Sequence, residues 1–129
     1  MKTVSLTIIA FVLTGILVAQ QPAFKRTTLQ QGDLSVPGRE AITALIEFEP
    51  RATPGRHTHF GEEIGYVLEG TLLVEQDGKA PVTLKAGGTF LIPAGTIHNA
   101  TNTGTGTARI LSTYIVEKGK PLATPAPTK

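Results

Sequence analysis

Residues 57–70 read His57-Thr58-His59-Phe60-Gly61-Glu62-Glu63-Ile64-Gly65-Tyr66-Val67-Leu68-Glu69-Gly70, and this stretch decides the fold. On a β-strand, residues i and i+2 point to the same face, so His57 and His59 present two imidazoles side by side while Thr58 turns away. Glu63 follows at short range, far enough along for the chain to turn and bring a carboxylate back. The third histidine of the protein, His98, closes the distant segment Pro93-Ala94-Gly95-Thr96-Ile97-His98. Pro and Gly bracket both segments and fix backbone turns at little steric cost. Neutral imidazole is a common ligand of divalent ions, and a converging His and Glu set points to a metal site. The competing reading is three histidines that bind nothing.

Working outward, short apolar runs alternate with turns, and no long amphipathic helical period is present. Residues Ala41 to Phe48 are strand-like and stop before Pro50. Ile64 to Leu68, then Glu69-Gly70, then Thr71 to Glu75 read as a β-hairpin. Asp77-Gly78 is a strong hairpin turn leading into Val82-Thr83-Leu84. Further strands are expected over Thr89 to Ile92, Ile97 to Thr101 and Ala108 to Val116. Turns at this spacing indicate an all-β sandwich or small barrel. The 14 Gly and 9 Pro, set against an absence of Trp, agree with many turns joining short elements.

Composition narrows the function. The 129 residues suit one domain, and 40% apolar against 17% charged residues is enough for a core. The formal net charge of +2 is spread over single residues, with no basic run longer than Lys25-Arg26, so nucleic-acid binding has little support. With no Cys there is no disulfide, no thiolate metal site and no Cys nucleophile. Zinc-protease chemistry is disfavoured because His-Glu-x-x-His is absent.

The two ends read differently from the middle. Met1-Lys2 is a short positive start, Thr3 to Ala19 carry no charge, and polar Gln20-Gln21-Pro22 follow. This is the layout of a secretory signal peptide over residues 1–19, cleaved near Ala19, which places the mature protein in a secreted or periplasmic location with no stable membrane contact. An uncleaved anchor is the alternative; N-terminal sequencing of exported protein separates the two, since a cleaved leader leaves a chain starting near Gln20. Residues 119–129, rich in Pro, Ala and Thr, read as a flexible tail, leaving an ordered domain over 24–118.

The two histidine segments together resemble the cupin superfamily. Its first motif, G-x5-H-x-H-x3-E-x6-G, appears as His57-x-His59-x3-Glu63-x6-Gly70. Its second, G-x5-P-x-G-x2-H-x3-N, appears as Gly87-x5-Pro93-x-Gly95-x2-His98-x3-Asn102. The departure is Arg51 in place of the opening Gly of the first motif, with Pro54-Gly55 expected to supply the turn instead. The resemblance implies a jelly-roll barrel (a double-stranded β-helix) of the small single-domain type. It also implies one divalent metal held by His57, His59, Glu63 and His98. Glu62 is one residue short of the family spacing, and strand alternation turns it away from Glu63. Glu62 and Tyr66 are weak candidates for acid/base help, and Asn102 and Gly70 are expected to serve turns and packing. Phe48, Phe60, Phe90 and Ile110 are candidate pocket-lining residues.

An N and O donor set without sulfur suits Mn(II) or Fe(II), with Ni, Co, Cu or Zn as alternatives. Absence of a His-x-Asp pair disfavours a 2-oxoglutarate mechanism. Two function classes remain. One is a metal-dependent enzyme on a small oxygen-rich molecule, with dioxygenase-like, lyase or isomerase chemistry. The other is a non-catalytic module that binds a small ligand or the metal alone. The partner in either case is a small molecule, and a homodimer is expected on the resemblance alone.

Overall fold

The computed structural model of the protein describes residues 20–128; the signal-peptide reading of residues 1–19 lies outside the described residues. The described chain forms β1 (Phe24–Asp33), β2 (Arg39–Phe48), β3 (His57–Thr58), β4 (Gly61–Glu69), β5 (Thr71–Gln76), β6 (Val82–Lys85), β7 (Thr89–Ile92), β8 (His98–Asn102), β9 (Ala108–Glu117) and β10 (Thr124–Pro125). No helix occurs among the described residues. Two five-stranded antiparallel sheets run in the orders β1-β2-β9-β4-β7 and β10-β3-β8-β5-β6. Their non-sequential order makes the fold a jelly roll, as the sequence implies.

Strand alternation sets the inner faces. On β2, Ile42, Ala44, Ile46 and Phe48 are buried; on β9, Ala108, Ile110, Ser112, Tyr114 and Val116 are buried. The two strands pair without a break from Arg39↔Glu117 to Phe48↔Ala108, so their inward residues lie in rows on one face. Val67 of β4 and Leu72 of β5 join these side chains in one core cluster drawn from both sheets. The aromatic rings of Phe24 and Phe48 meet edge to face at 5.1 Å and close one end.

Three expectations are corrected. First, β4 and β5 do not form a hairpin: β4 pairs with β7 and β9, whereas β5 pairs with β6 and β8. The chain turns a corner at Gly70 (φ 83°) and passes from one sheet to the other. A Cβ there would lie 2.7 Å from Ala108 Cα, so the corner needs Gly for both conformation and space. Both arms of that corner have an apolar inner face to bury, and opposing sheets bury them better than a mutual pair. The hairpin at Asp77-Gly78 does form, with Val74 opposite Val82.

Second, residues 119–129 are not a loose tail as far as they are described. Leu122 packs against the core, and Thr124 and Pro125 pair with Thr58 and His57. Ala126 N donates to Arg56 O at 2.9 Å, and Arg56 Nε donates to Pro127 O at 3.1 Å. The segment lacks apolar periodicity because only Leu122, itself half-buried, packs against the core; backbone pairing to the two-residue β3 holds the rest.

Third, Arg51 takes the left-handed conformation itself (φ 69°), where the cupin motif has Gly, and Gly55 (φ 81°) adds a second turn. Asn102 holds this loop: Arg51 N donates to Asn102 O at 3.0 Å, and Asn102 N donates to Ala52 O at 3.1 Å. The buried Asn102 amide also donates to Phe48 O and Gly106 O, at 3.0 and 2.8 Å. A left-handed non-Gly residue costs about 1–2 kcal/mol, partly offset in a Gly variant by extra unfolded-state entropy. Arg51→Gly is therefore expected to stabilise the protein by about 0.5–1 kcal/mol, read as a rise in urea midpoint. An unchanged or lowered midpoint would show that the loop carries no such strain.

Candidate metal centre

His57, His59, Glu63 and His98 converge inside the barrel, and all four are buried. One ligand atom from each lies within 4.8 Å of all the others. Backbone register accounts for the convergence. His57 on β3 sits opposite His98 on β8, within one sheet. Glu63 comes from the facing sheet, opposite Ile92 on one side and Tyr114 on the other. The three imidazole rings stand 4.3–4.8 Å apart, centroid to centroid.

Each imidazole is anchored through Nδ1 to a backbone carbonyl. His57 Nδ1 bonds to Gly55 O at 2.7 Å, His98 Nδ1 to Thr96 O at 2.8 Å, and His59 Nδ1 to Leu122 O. A carbonyl oxygen only accepts, so each Nδ1 carries the proton, and a neutral ring then has a bare lone pair on Nε2. His59 Nε2 and His98 Nε2 lie 3.1 and 3.2 Å from the same oxygen, Glu63 Oε2. The other carboxylate oxygen, Oε1, accepts from Ser112 Oγ at 2.8 Å. With the rings neutral, their Nε2 lone pairs and the ionised carboxylate face one another with acceptors only, an arrangement that a shared cation resolves. Donor atoms around one ion with bonds of about 2.1 Å are roughly 3 Å apart when adjacent, which matches the separations at Oε2. The residues therefore fit a divalent ion.

Burial holds the His57 imidazolium down to a pKa of about 4, against the pull of the Gly55 carbonyl, with repulsion from His98 and His59 adding to it. Burial pushes the Glu63 carboxyl up; His59 and His98 pull it down only when their rings are protonated and donate from Nε2, while the Ser112 hydroxyl pulls it down in either state. Burial, then the Glu63 charge, push the Tyr114 hydroxyl above its ordinary value, so it keeps its proton at neutral pH.

The weak acid/base candidates do not join the cluster. Glu62 and Tyr66 lie on the outer face of β4, where Ile64, Tyr66 and Leu68 are exposed, because alternation turns every second residue outward. Phe48, Phe90 and Ile110 do line the cavity beside the cluster, whereas Phe60 is exposed with the Lys120 ammonium 5.3 Å from its ring centroid. Ser112, Tyr114 and Arg26 escaped the sequence reading. The inward alternation of residues 108–116 was a usable signal for the first two, since it turns a lone Ser and Tyr onto the core face.

Residues 44–114 match the family model described as Cupin domain. The chain belongs to the cupin family. Among curated proteins, this cupin is 37% identical over 79 residues to the HTH-type transcriptional regulator PuuR of Escherichia coli strain K12, covering 60% of this chain and 42% of that protein. It therefore spans less than half of that relative. Among solved structures, a recombinant oxalate oxidase in complex with glycolate aligns with a TM-score of 0.64 at 26% identity, covering 79% of this chain and 54% of that one. A cupin superfamily protein from Desulfitobacterium hafniense aligns with a TM-score of 0.62 at 19% identity, covering 77% and 83%, and supports the fold alone.

The His57 shift has a consequence for stability. As pH falls below about 6.5, the unfolded chain takes up this proton first, and the folded protein takes it up only near a pKa of about 4. The metal-free protein should therefore lose stability as pH drops from about 6.5 to about 4, and His57→Gln should flatten that dependence. Urea midpoints across this window test it; a parallel slope in the variant would remove His57 as the cause.

Proposed function

We propose that His57, His59, Glu63 and His98 hold one divalent transition-metal ion, and that the protein is a metal-dependent enzyme for a small oxygen-rich molecule. The observation that carries this reading is the set of inward Nε2 lone pairs gathered around a buried carboxylate. Mn(II) or Fe(II) suits three imidazoles and one carboxylate on a six-coordinate ion, which leaves two positions for water or substrate. Ni, Co, Cu or Zn remain alternatives within the same donor set. Such an ion, when bound, supplies Lewis acidity or a route for electrons.

The chain's own residues have separate tasks. The carbonyls of Gly55, Thr96 and Leu122 hold the imidazoles in one tautomer, as hydrogen-bonded outer partners do at metal sites. Ser112 keeps Glu63 Oε1 occupied and leaves Oε2 toward the imidazoles. Phe48, Phe90 and Ile110 give the cavity an apolar wall that limits water. Tyr114, with its ring 4.9 Å from that of His59, offers a protonated hydroxyl at the cavity edge. The likeness to an oxalate oxidase crystallised with glycolate supports a small oxygen-rich substrate.

A second reading is a binding module without chemistry, and the similarity to part of a transcriptional regulator favours it. A screen of small hydroxyacids, dicarboxylates and catechol-like compounds with Mn(II)- or Fe(II)-loaded protein, under air and under nitrogen, separates the two. Metal-dependent product that disappears in His98→Ala supports the enzyme. Tight binding with no product after long incubation supports the module.

Metal analysis tests the ligand set itself. His59→Ala and His98→Ala should lose most bound metal, and Glu63→Gln should bind it about tenfold or more weakly. Glu62→Gln should keep full stoichiometry, since that side chain faces outward. Loss of the ion in Glu62→Gln with retention in Glu63→Gln would overturn the assignment.

A further inference from the structure

The strongest unexplained feature beside the cluster is the cation Arg26 on β1. Its guanidinium lines the same cavity as His57, Glu63 and His98, with Cζ 5.5 Å from the ring centroids of both Phe24 and Tyr114. The side chain hydrogen-bonds with the Tyr114 hydroxyl, but its Nε is buried and has no hydrogen-bond partner. Among the described residues no carboxylate pairs with Arg26, in contrast to Arg56, Arg109 and Lys118, each of which has an acidic partner. A buried guanidinium donor left without an acceptor is costly, and an ordinary core position would hold an apolar residue instead.

Arg26 also lies on the way in. The inner cavity and an outer vestibule of about 220 Å³ share Phe24, Arg26, Pro54 and His57. The vestibule adds Arg56 and, from the C-terminal segment, Ala123 and Pro125. No acidic side chain lines the vestibule, and Glu63 is the one acid lining the inner cavity. The inner cavity is narrow and shares part of its lining with the larger vestibule. A molecule that reaches the cluster must be small, and it passes a donor that lacks an acceptor.

We infer that Arg26 is a specificity residue that binds the carboxylate of a small anionic substrate, holding it between the Phe24 and Tyr114 rings while its other oxygen atoms face the His/Glu cluster. The inference rests on the proposed metal site only for the role of those other oxygens. A guanidinium matches a carboxylate through paired N–H donors, and aromatic rings against it restrict its rotamers. Strand β1 contributes little else to the core: apart from Phe24 and Arg26, its side chains are exposed.

The test compares glycolate with glycolamide, which differ in charge and hardly in size. Binding of each is measured by calorimetry with Mn(II)-loaded protein, and metal content is measured separately. The wild type should prefer glycolate by about tenfold or more, the range for a charge-assisted hydrogen bond. Arg26→Gln should lose that preference with Mn(II) stoichiometry unchanged, and Arg26→Lys should retain part of it. A purely structural Arg26 would weaken both ligands alike, and that result overturns the inference, as does undiminished preference in Arg26→Gln or a wild type that binds neither. Failure to take up Mn(II) would instead sink the metal reading. The same comparison on metal-free protein then decides: an Arg26-dependent preference for glycolate sustains the inference, and its absence overturns it.

Discussion

Three hydrogen bonds from imidazole Nδ1 to backbone carbonyls constrain the interior of this cupin more than any other interaction. Gly55, Thr96 and Leu122 supply the carbonyls, and each forces its histidine to turn a bare Nε2 inward. Glu63 is then buried beside those rings, with the Ser112 and Tyr114 hydroxyls as its neutral donors. Burying an unpaired carboxylate costs several kcal/mol, of order. The folded arrangement is coherent with a cation in its midst, as proposed, and burial opposes charge on His57.

The rest of the barrel places those carbonyls. Sheet pairing sets His57 against His98, and the facing sheet delivers Glu63 between Ile92 and Tyr114. The loop before β3 is held by Asn102, whose backbone and amide bond to Arg51, Ala52, Phe48 and Gly106. The C-terminal segment contributes Leu122, pinned by the β10–β3 pairing and by Arg56. Arg56 is itself fixed by paired bonds to Asp77 at 2.9 and 2.8 Å. Segments remote in sequence therefore converge on the tautomer of three rings.

Much of this was legible in the sequence. The His-x-His pair, Glu63 and His98 were readable because strand alternation and motif spacing depend on the local chain alone. The same holds for the apolar alternation of Ala41 to Phe48 and Ala108 to Val116, which became the paired strands β2 and β9. What escaped depends on long-range partners. Nothing local distinguishes a hairpin at Gly70 from a corner between sheets; the choice is made by β9 and β8 competing for β4 and β5. The C-terminal segment looks loose because its hold is backbone pairing, which leaves no side-chain pattern. Arg26 sits next to Lys25 in a polar stretch and reads as solvated, yet Phe24 and Tyr114 draw it inward.

The imidazole tautomers test the account most directly. Long-range proton–nitrogen NMR of the ¹⁵N-labelled protein reports which ring nitrogen carries the proton in each histidine. At neutral pH and without metal, His57, His59 and His98 should all carry it on Nδ1. Addition of one equivalent of Zn(II), a diamagnetic ion suited to the same donors, should shift all three Nε2 resonances together while the Nδ1 protons remain. A proton on Nε2 of any of the three, or Nε2 resonances that do not respond to the ion, would contradict it.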